Sequence, residues 1–144
     1  FRRVLFRSAG GGDIWAAPLR RPALVVGVDR PPDVLRDLIA LRVRRELDEG
    51  LLQELQAALS DPDLARGPAQ VIGMAEVQAI ARGEMREEDL EEALNARTRR
   101  LARMQRTWMR RMQVDQVIDL GDGPAQDAVA AVVALWRRAR EGVG

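Results

Sequence analysis

The sequence predicts a mostly helical chain with one or two short strands, a piece of an α/β fold. Three observations lead there. An apolar, β-branched run, PALVVGV at 22–28, is bounded by proline on one side and by Asp29-Arg30-Pro31-Pro32 on the other, which suits a buried strand. The long stretches between prolines and glycines repeat their apolar residues at helical spacing. A second short run, VDQVIDL at 114–120, alternates apolar and polar residues as an edge strand does. One short strand cannot make a sheet, so the partners of 22–28 are expected outside this chain, upstream of it.

The elements follow in order. FRRVLFRS at 1–8 begins without an initiator Met and runs into AGGGD; it reads as a truncated or foreign start and is excluded from the fold. PPDVLRDLIALRVRREL places proline and Asp33 in a first helical turn and is expected to turn Val34, Leu38, Leu41 and Val43 to one side, with Leu35, Ile39 and Leu47 adjoining, until Gly50 ends it. LLQELQAAL is a short helix and SDPDLARG the polar loop after it. PAQVIGMAEVQAIARG predicts a helix over 68–82, closed by Gly83. The longest helix is expected over 86–112. On it Leu90, Ala93, Leu94, Leu101, Met104, Trp108 and Met112 share one stripe, and Arg99, Arg103, Arg106 and Arg110 share another roughly opposite. Gly121 and Gly123 break the second strand, and PAQDAVAAVVALWRRAR makes a last helix.

Composition excludes much chemistry. The chain has 144 residues, 23 basic and 22 acidic, for a formal charge of +1, so any electrostatic function rests on local clustering. Every basic residue is Arg; Lys, His, Cys and Tyr are absent. The chain therefore holds no zinc site of the usual ligands, no disulfide, no thiol nucleophile and no Ser-His-Asp triad. It has no Schiff-base lysine and no complete Gly-x4-Gly-Lys-Ser/Thr phosphate loop. No apolar run approaches a membrane span and no segment has the order of a signal peptide, so a cytoplasmic setting without a membrane partner is expected.

TRRLARMQRTWMRR at 98–111 sets Arg99, Arg100, Arg103, Arg106, Arg110 and Arg111 among Leu, Met, Trp and Gln on one helix. A helix with one apolar stripe needs a charged opposite face, and a solvated face is one reading. Such a face normally mixes signs, yet no acidic residue lies between Asn95 and Val114. Arginines at i, i+4, i+7 and i+11 repel by a few tenths of a kcal/mol per adjacent pair, a cost that a bound phosphate backbone reverses. The opposite sign sits in REEDLEE at 86–92, where it suits the helix dipole. Spacing alone leaves the solvated face and the phosphate-binding face both open.

The same string resembles the Thr-Arg-x-(Tyr/Leu)-Ala-(Lys/Arg)-Arg-Gln-x-Thr-Trp-x-Arg signature of the tRNA dimethylallyltransferases, also called isopentenyl-diphosphate:tRNA transferases. Upstream, VIGMAEVQAIARGEMREEDLEEAL resembles that family's Ile-Gly-Tyr-x-Glu segment and the Glu-rich helix start after it. Earlier still, GVDRPPDVLRDLIALRVRRELDEGLLQEL is similar to its Gly-Leu-x-x-Pro-Arg and Ile-x-x-Arg-x-x-x-Met-x-x-Gly-Leu stretch. The resemblance implies a parallel sheet like that of the P-loop nucleoside triphosphate hydrolases in the full-length enzyme, which acts as a monomer. It implies transfer of a dimethylallyl group from dimethylallyl diphosphate to N6 of the adenine 3′ of the tRNA anticodon, with Mg2+ as cofactor and the tRNA anticodon arm as partner. The weakly nucleophilic adenine amine requires a stabilised diphosphate leaving group, and the base must leave the anticodon stack.

Position by position, the resemblance implies tRNA contacts at Arg99, Arg103, Gln105, Arg106, Thr107, Trp108 and Arg110, and at a second segment, Gln70, Val71, Ile72, Gly73 and Met74. It places Arg42 near the diphosphate, against the alternative of a surface arginine. The chain departs from the family at Met104 (usually Arg), Met74 (usually Tyr) and Glu46 (usually Met). Met104, on the apolar stripe, is read as core; at 73–74 only the backbone role of Gly73 is retained. Trp108, also on the stripe, is read as core against direct stacking on a base. Arg97 interrupts the stripe between Leu94 and Leu101 and either snorkels or reaches RNA.

The family's phosphate loop, its N-terminal acidic residue and the helical insertion that grips the anticodon arm have no counterpart in this sequence. The resemblance thus implies a C-terminal piece, inactive alone, with 9–123 belonging to the enzyme core and 124–144 forming the C-terminal helix. Two rivals remain: a non-catalytic helical RNA-binding module, and a helical protein-interaction domain whose Arg face takes an acidic partner.

Overall fold

A computed structural model of the chain describes residues 23–61, 71–112 and 114–141. The element order is β1 (Val26–Asp29), α1 (Pro32–Asp48), α2 (Leu51–Ser60), α3 (Met74–Ala81), a 3-10 turn (Glu87–Asp89), α4 (Leu90–Arg111), β2 (Gln116–Asp119) and α5 (Gln126–Glu141). The chain divides into two units, one drawn from residues up to Leu35 and from Met104 onward, the other from Arg36–Arg103.

In the first unit β1 pairs with β2 in parallel, Val26 opposite Gln116 and Asp29 opposite Asp119. The expectation that β1 has its partners only outside this chain is corrected: period reveals a strand but not its neighbour, and β2 supplies one. The pair is fastened at both ends. Asp115 N donates to Val25 O at 2.9 Å, Leu120 N donates to Asp29 O at 3.1 Å, and Asp115 Oδ2 accepts from Val25 N at 2.7 Å. Gly27 is buried, and a β-carbon there would lie 2.8 Å from Met109 Sδ. After β2, Arg30 Nη1 donates to Gly121 O at 3.0 Å, tying the turn beyond β2 to the end of β1. Both strands leave apolar side chains in the open, Val28 46% and Val117 50% exposed, whereas parallel sheets are ordinarily covered on both faces.

All eight buried apolar side chains among the described residues lie in the second unit: Ile39, Val43, Leu52, Leu55, Met74, Val77, Leu90 and Leu94. On α1 the buried pair is Ile39 and Val43, four residues apart, while Leu38 is 41% and Leu41 68% exposed. The expected grouping of Leu38 and Leu41 with Val43 fails because Leu41 sits about 200° around the helix from both buried residues.

Two helix starts also shift. The helix expected from Pro68 begins at Met74, because Gly73 adopts φ +100, which no helical residue can; Pro68 to Gln70 lie outside the described residues. The helix expected from Arg86 begins at Leu90, after the 3-10 turn. There Arg86 Nε and Nη2 donate to Asp89 Oδ2 and Oδ1 at 3.1 and 3.3 Å. The hydrogen bond from Arg86 holds the Asp89 carboxyl below its ordinary range and raises the arginine in turn.

The apolar stripe of α4 holds only in part. Leu90 and Leu94 are buried and Leu101 half-buried, but Met104 is 37% and Met112 43% exposed. Met104 is therefore not core. The buried cluster belongs to the second unit, which ends at Arg103, so the stripe loses its apolar cover there. Asn95, one residue past Leu94, is buried despite its polarity. No helix of the described residues is long and apolar enough to cross a membrane.

Candidate nucleic-acid interface

In the second unit the segment 71–74 is shaped by Gly73. A β-carbon on Gly73 would lie 2.5 Å from Leu55 Cδ1 and 3.5 Å from Leu94 Cδ2. Glycine is needed both for that approach and for φ +100. Met74 N donates to Val71 O at 3.2 Å and Val77 N to Gly73 O at 2.9 Å, closing the turn onto α3. Gly73 and Met74 are buried, Ile72 is half-buried, and Val71 is the exposed residue. The surface of this segment is therefore Val71, while Gly73 works from beneath it. Gln70 lies outside the described residues.

Arg97 neither points into the apolar seam nor stands open to solvent: Nη1 reaches Glu76 Oε1 at 3.0 Å and Oε2 at 3.1 Å. Glu76 is 14% exposed and Arg97 32%. Neither partner was legible as half of a pair in the sequence. The available signal was that Glu76 is the single charge in MAEVQAIA and that Arg97 is the charge interrupting the apolar stripe between Leu94 and Leu101. Arg99 Nη2 donates to Glu92 Oε1 at 2.7 Å, seven residues back on its own helix, and Arg44 joins α1 to α4 through Glu91 at 3.1 Å. Arg100 and Arg103 are exposed. Arg42 is 71% exposed and donates through Nε to Glu46 Oε1 at 2.7 Å. Arg42 is thus paired within its own helix, with the residue four positions on.

In the first unit Arg106 turns Nε and Nη2 to one oxygen, Asp29 Oδ2, at 3.1 and 3.0 Å, both side chains less than a third exposed. Arg110 Nη2 donates to Thr107 Oγ1 at 3.2 Å. Trp108 is half-buried; Gln105, Arg110 and Arg111 are exposed. The acid-free window from 95 to 114 does not leave its arginines without carboxylates, because Glu92 and Asp29 reach Arg99 and Arg106 from outside it. Exposed on α4 are Arg100, Arg103, Gln105, Arg110 and Arg111, donor side chains of the kind that suits phosphate oxygens. The described residues do not fit a Mg2+ site, since no group of three or more acidic side chains among them is arranged to hold a metal.

A family model described as IPP transferase matches residues 9–112. The tRNA dimethylallyltransferase of Dinoroseobacter shibae is 43% identical over 93 residues, covering 65% of this chain and 31% of that protein. That of Rhodococcus jostii is 34% identical over 119 residues, covering 81% of this chain and 38% of the relative. Among solved structures, the full-length tRNA isopentenylpyrophosphate transferase from Bacillus halodurans matches with a TM-score of 0.69 and 26% identity, over 79% of this chain and 38% of that one. A tRNA delta(2)-isopentenylpyrophosphate transferase from Staphylococcus epidermidis shares the fold, with a TM-score of 0.66 at 24% identity, over 80% of this chain and 38% of its own. The chain spans about a third of the length of the relatives it matches.

Proposed function

The chain belongs to the IPP transferase family, and from that premise we propose that it is the C-terminal part of a tRNA dimethylallyltransferase. Residues 9–123 are part of the enzyme core and 124–144 the C-terminal segment that carries α5. The reaction joins N6 of the adenine 3′ of the anticodon to the allylic carbon of dimethylallyl diphosphate; the carbon–oxygen bond to diphosphate breaks and N6 gives up a proton. This part of the chain contributes RNA binding. Arg103, Gln105 and Arg110 contact the anticodon arm directly, Arg99 and Arg106 from their ion pairs, and Thr107 and Trp108 by holding that helix surface in shape. Val71 and Ile72 contact it at the second segment, which Gly73 and Met74 support from within. Arg42 reaches the diphosphate side, its guanidinium shared with Glu46. The reaction runs in the cytoplasm, with the Mg2+ that the family resemblance implies held by residues outside this chain.

The observation that carries this reading is the outward donor set of α4, Arg100, Arg103, Gln105, Arg110 and Arg111, on the helix that bears the Gln-x-Thr-Trp-x-Arg string. A strand pair with Val28 and Val117 in the open supports a sheet continued by further strands in the whole enzyme.

A graft tests it. Residues 9–112 replace the matching third of the Dinoroseobacter shibae enzyme, and transfer of labelled dimethylallyl to tRNA is measured beside the 144-residue chain alone. The graft is expected to transfer the label, and the chain alone to bind tRNA and transfer none. A folded graft that binds tRNA without transfer leaves a non-catalytic RNA-binding module. A chain with no preference for tRNA over heparin leaves the acidic-partner reading.

A further inference from the structure

Helix α4 holds the entrance to α3 at two successive points. Leu94 packs near Gly73, and Arg97, three residues on and so on the same side of the helix, closes on Glu76 through both carboxylate oxygens at 3.0 and 3.1 Å. Glu76 stands three residues after Gly73, in the first turn of α3. Both contacts bear on that turn, which Leu55 of α2 also meets at Gly73, and Val71 stands at the surface beside it.

We infer that Arg97 and Glu76 are a positioning pair that presents the 71–72 backbone to RNA. The inference rests on the tRNA-binding reading above and assigns Arg97 a role distinct from the outward arginines. A largely buried ion pair contributes little net stability, because desolvation of both charges offsets their attraction. What it does supply is one geometry: a planar guanidinium against a carboxylate admits few arrangements. Leu55 and Leu94 meet α3 through apolar contacts at Gly73, which carry little directional preference; the pair at Glu76 adds a directional one.

The sign of one substitution separates this from electrostatics. Glu76→Gln removes a negative charge, so a charge effect alone tightens RNA binding. Positioning predicts the reverse, about a tenfold loss of affinity for an anticodon stem-loop, equivalent to about 1.4 kcal/mol. The slope of log affinity against log salt is expected to stay that of the parent, since no phosphate contact is removed. Arg97→Gln is expected to lose affinity equally, also at unchanged slope, and the swapped pair Glu76→Arg with Arg97→Glu to recover most of it.

Binding is measured on the full 144-residue chain, below the melting temperature of each variant, with heparin as the comparison polyanion. Three outcomes overturn the proposal: tighter binding by Glu76→Gln, a salt slope that falls by about one for Arg97→Gln, or a lowered melting temperature with affinity unchanged. If Glu76→Gln does not fold, the swapped pair decides alone: recovered affinity supports positioning and lost affinity refutes it. A parent chain that does not distinguish the stem-loop from heparin removes the tRNA reading itself, an outcome distinct from a parent that binds and a variant that is unaffected.

Discussion

Arg106, near the end of α4, and Asp29, the last residue of β1, meet across 77 positions of sequence, with Nε and Nη2 both on Asp29 Oδ2. The contact pins the helix to the C-terminal end of the strand pair, in a unit whose described residues bury no large apolar side chain. Removing one partner leaves the other charge half-buried and unpaired. Arg106→Gln is expected to destabilise this unit by about 1–3 kcal/mol, read as faster hydrogen exchange at Asp115 N and Leu120 N, the amides that fasten β2 to β1. Asp29→Asn, which keeps an acceptor oxygen, is expected to cost less. Equal exchange in both variants and the parent would show that the pair holds nothing.

Gly73 is expected to tolerate no side chain. Gly73→Ala meets Leu55 in a buried position and forces an alanine to φ +100, a strain of about 1–3 kcal/mol. Thermal unfolding should move down by several degrees, about 2–8 °C for each kcal/mol in chains of this size. Gly83→Ala also has a positive φ, +71, but has no neighbour within 4 Å of the new carbon, so its loss should be the smaller of the two.

The exposed arginines of α4 should be distinguishable from the half-buried Arg99 by salt. Arg103→Gln and Arg110→Gln are each expected to weaken anticodon stem-loop binding about threefold to tenfold and to lower the salt slope by about 0.7–0.9. Arg99, which donates to Glu92 at 2.7 Å, should change the slope less. Titrations of the stem-loop at four salt concentrations check this, and identical slopes for all three variants would count against phosphate contact by α4.

The turn before α4 should be acid-sensitive. The Arg86 hydrogen bond holds the Asp89 carboxyl below its ordinary range. A depressed folded value means that the contribution is fully present above the unfolded carboxylate range, about pH 4, and is lost as pH falls through the folded value. The Asp89 carboxyl carbon, followed by NMR between pH 2 and 5, should titrate below the ordinary aspartate value, and Arg86→Gln should return it towards that value. Both groups are at the surface, so the effect on global stability should be small.

Much of the chain could be read from its letters. Pro32, Gly50 and Gly83 punctuate helices because their backbones permit or forbid particular angles wherever they occur, and the alternation at 114–120 marks β2 for the same local reason. The residues of the candidate site on α4 were also legible, carried by a spaced string on one helix. Their states of charge pairing were not. Arg97 looked like an arginine out of place in an apolar stripe, and became intelligible only with Glu76, 21 positions away, beside it. Arg42 looked available for a diphosphate, and its Glu46 contact needed the helix to be drawn.

The sequence by itself determined which segments are helix and which strand, which chemistries are absent for want of Lys, His, Cys and Tyr, and the family to which the α4 string points. Tertiary structure decided which strand pairs with β1, that Asn95 is buried while Met104 is exposed, that α3 starts at Met74, and which arginines face carboxylates. The physical reason is range. Helical period, capping and turn angles act over a few residues and are written in adjacent letters, whereas burial and ion pairing depend on what folding brings alongside, and no spacing along the chain records that.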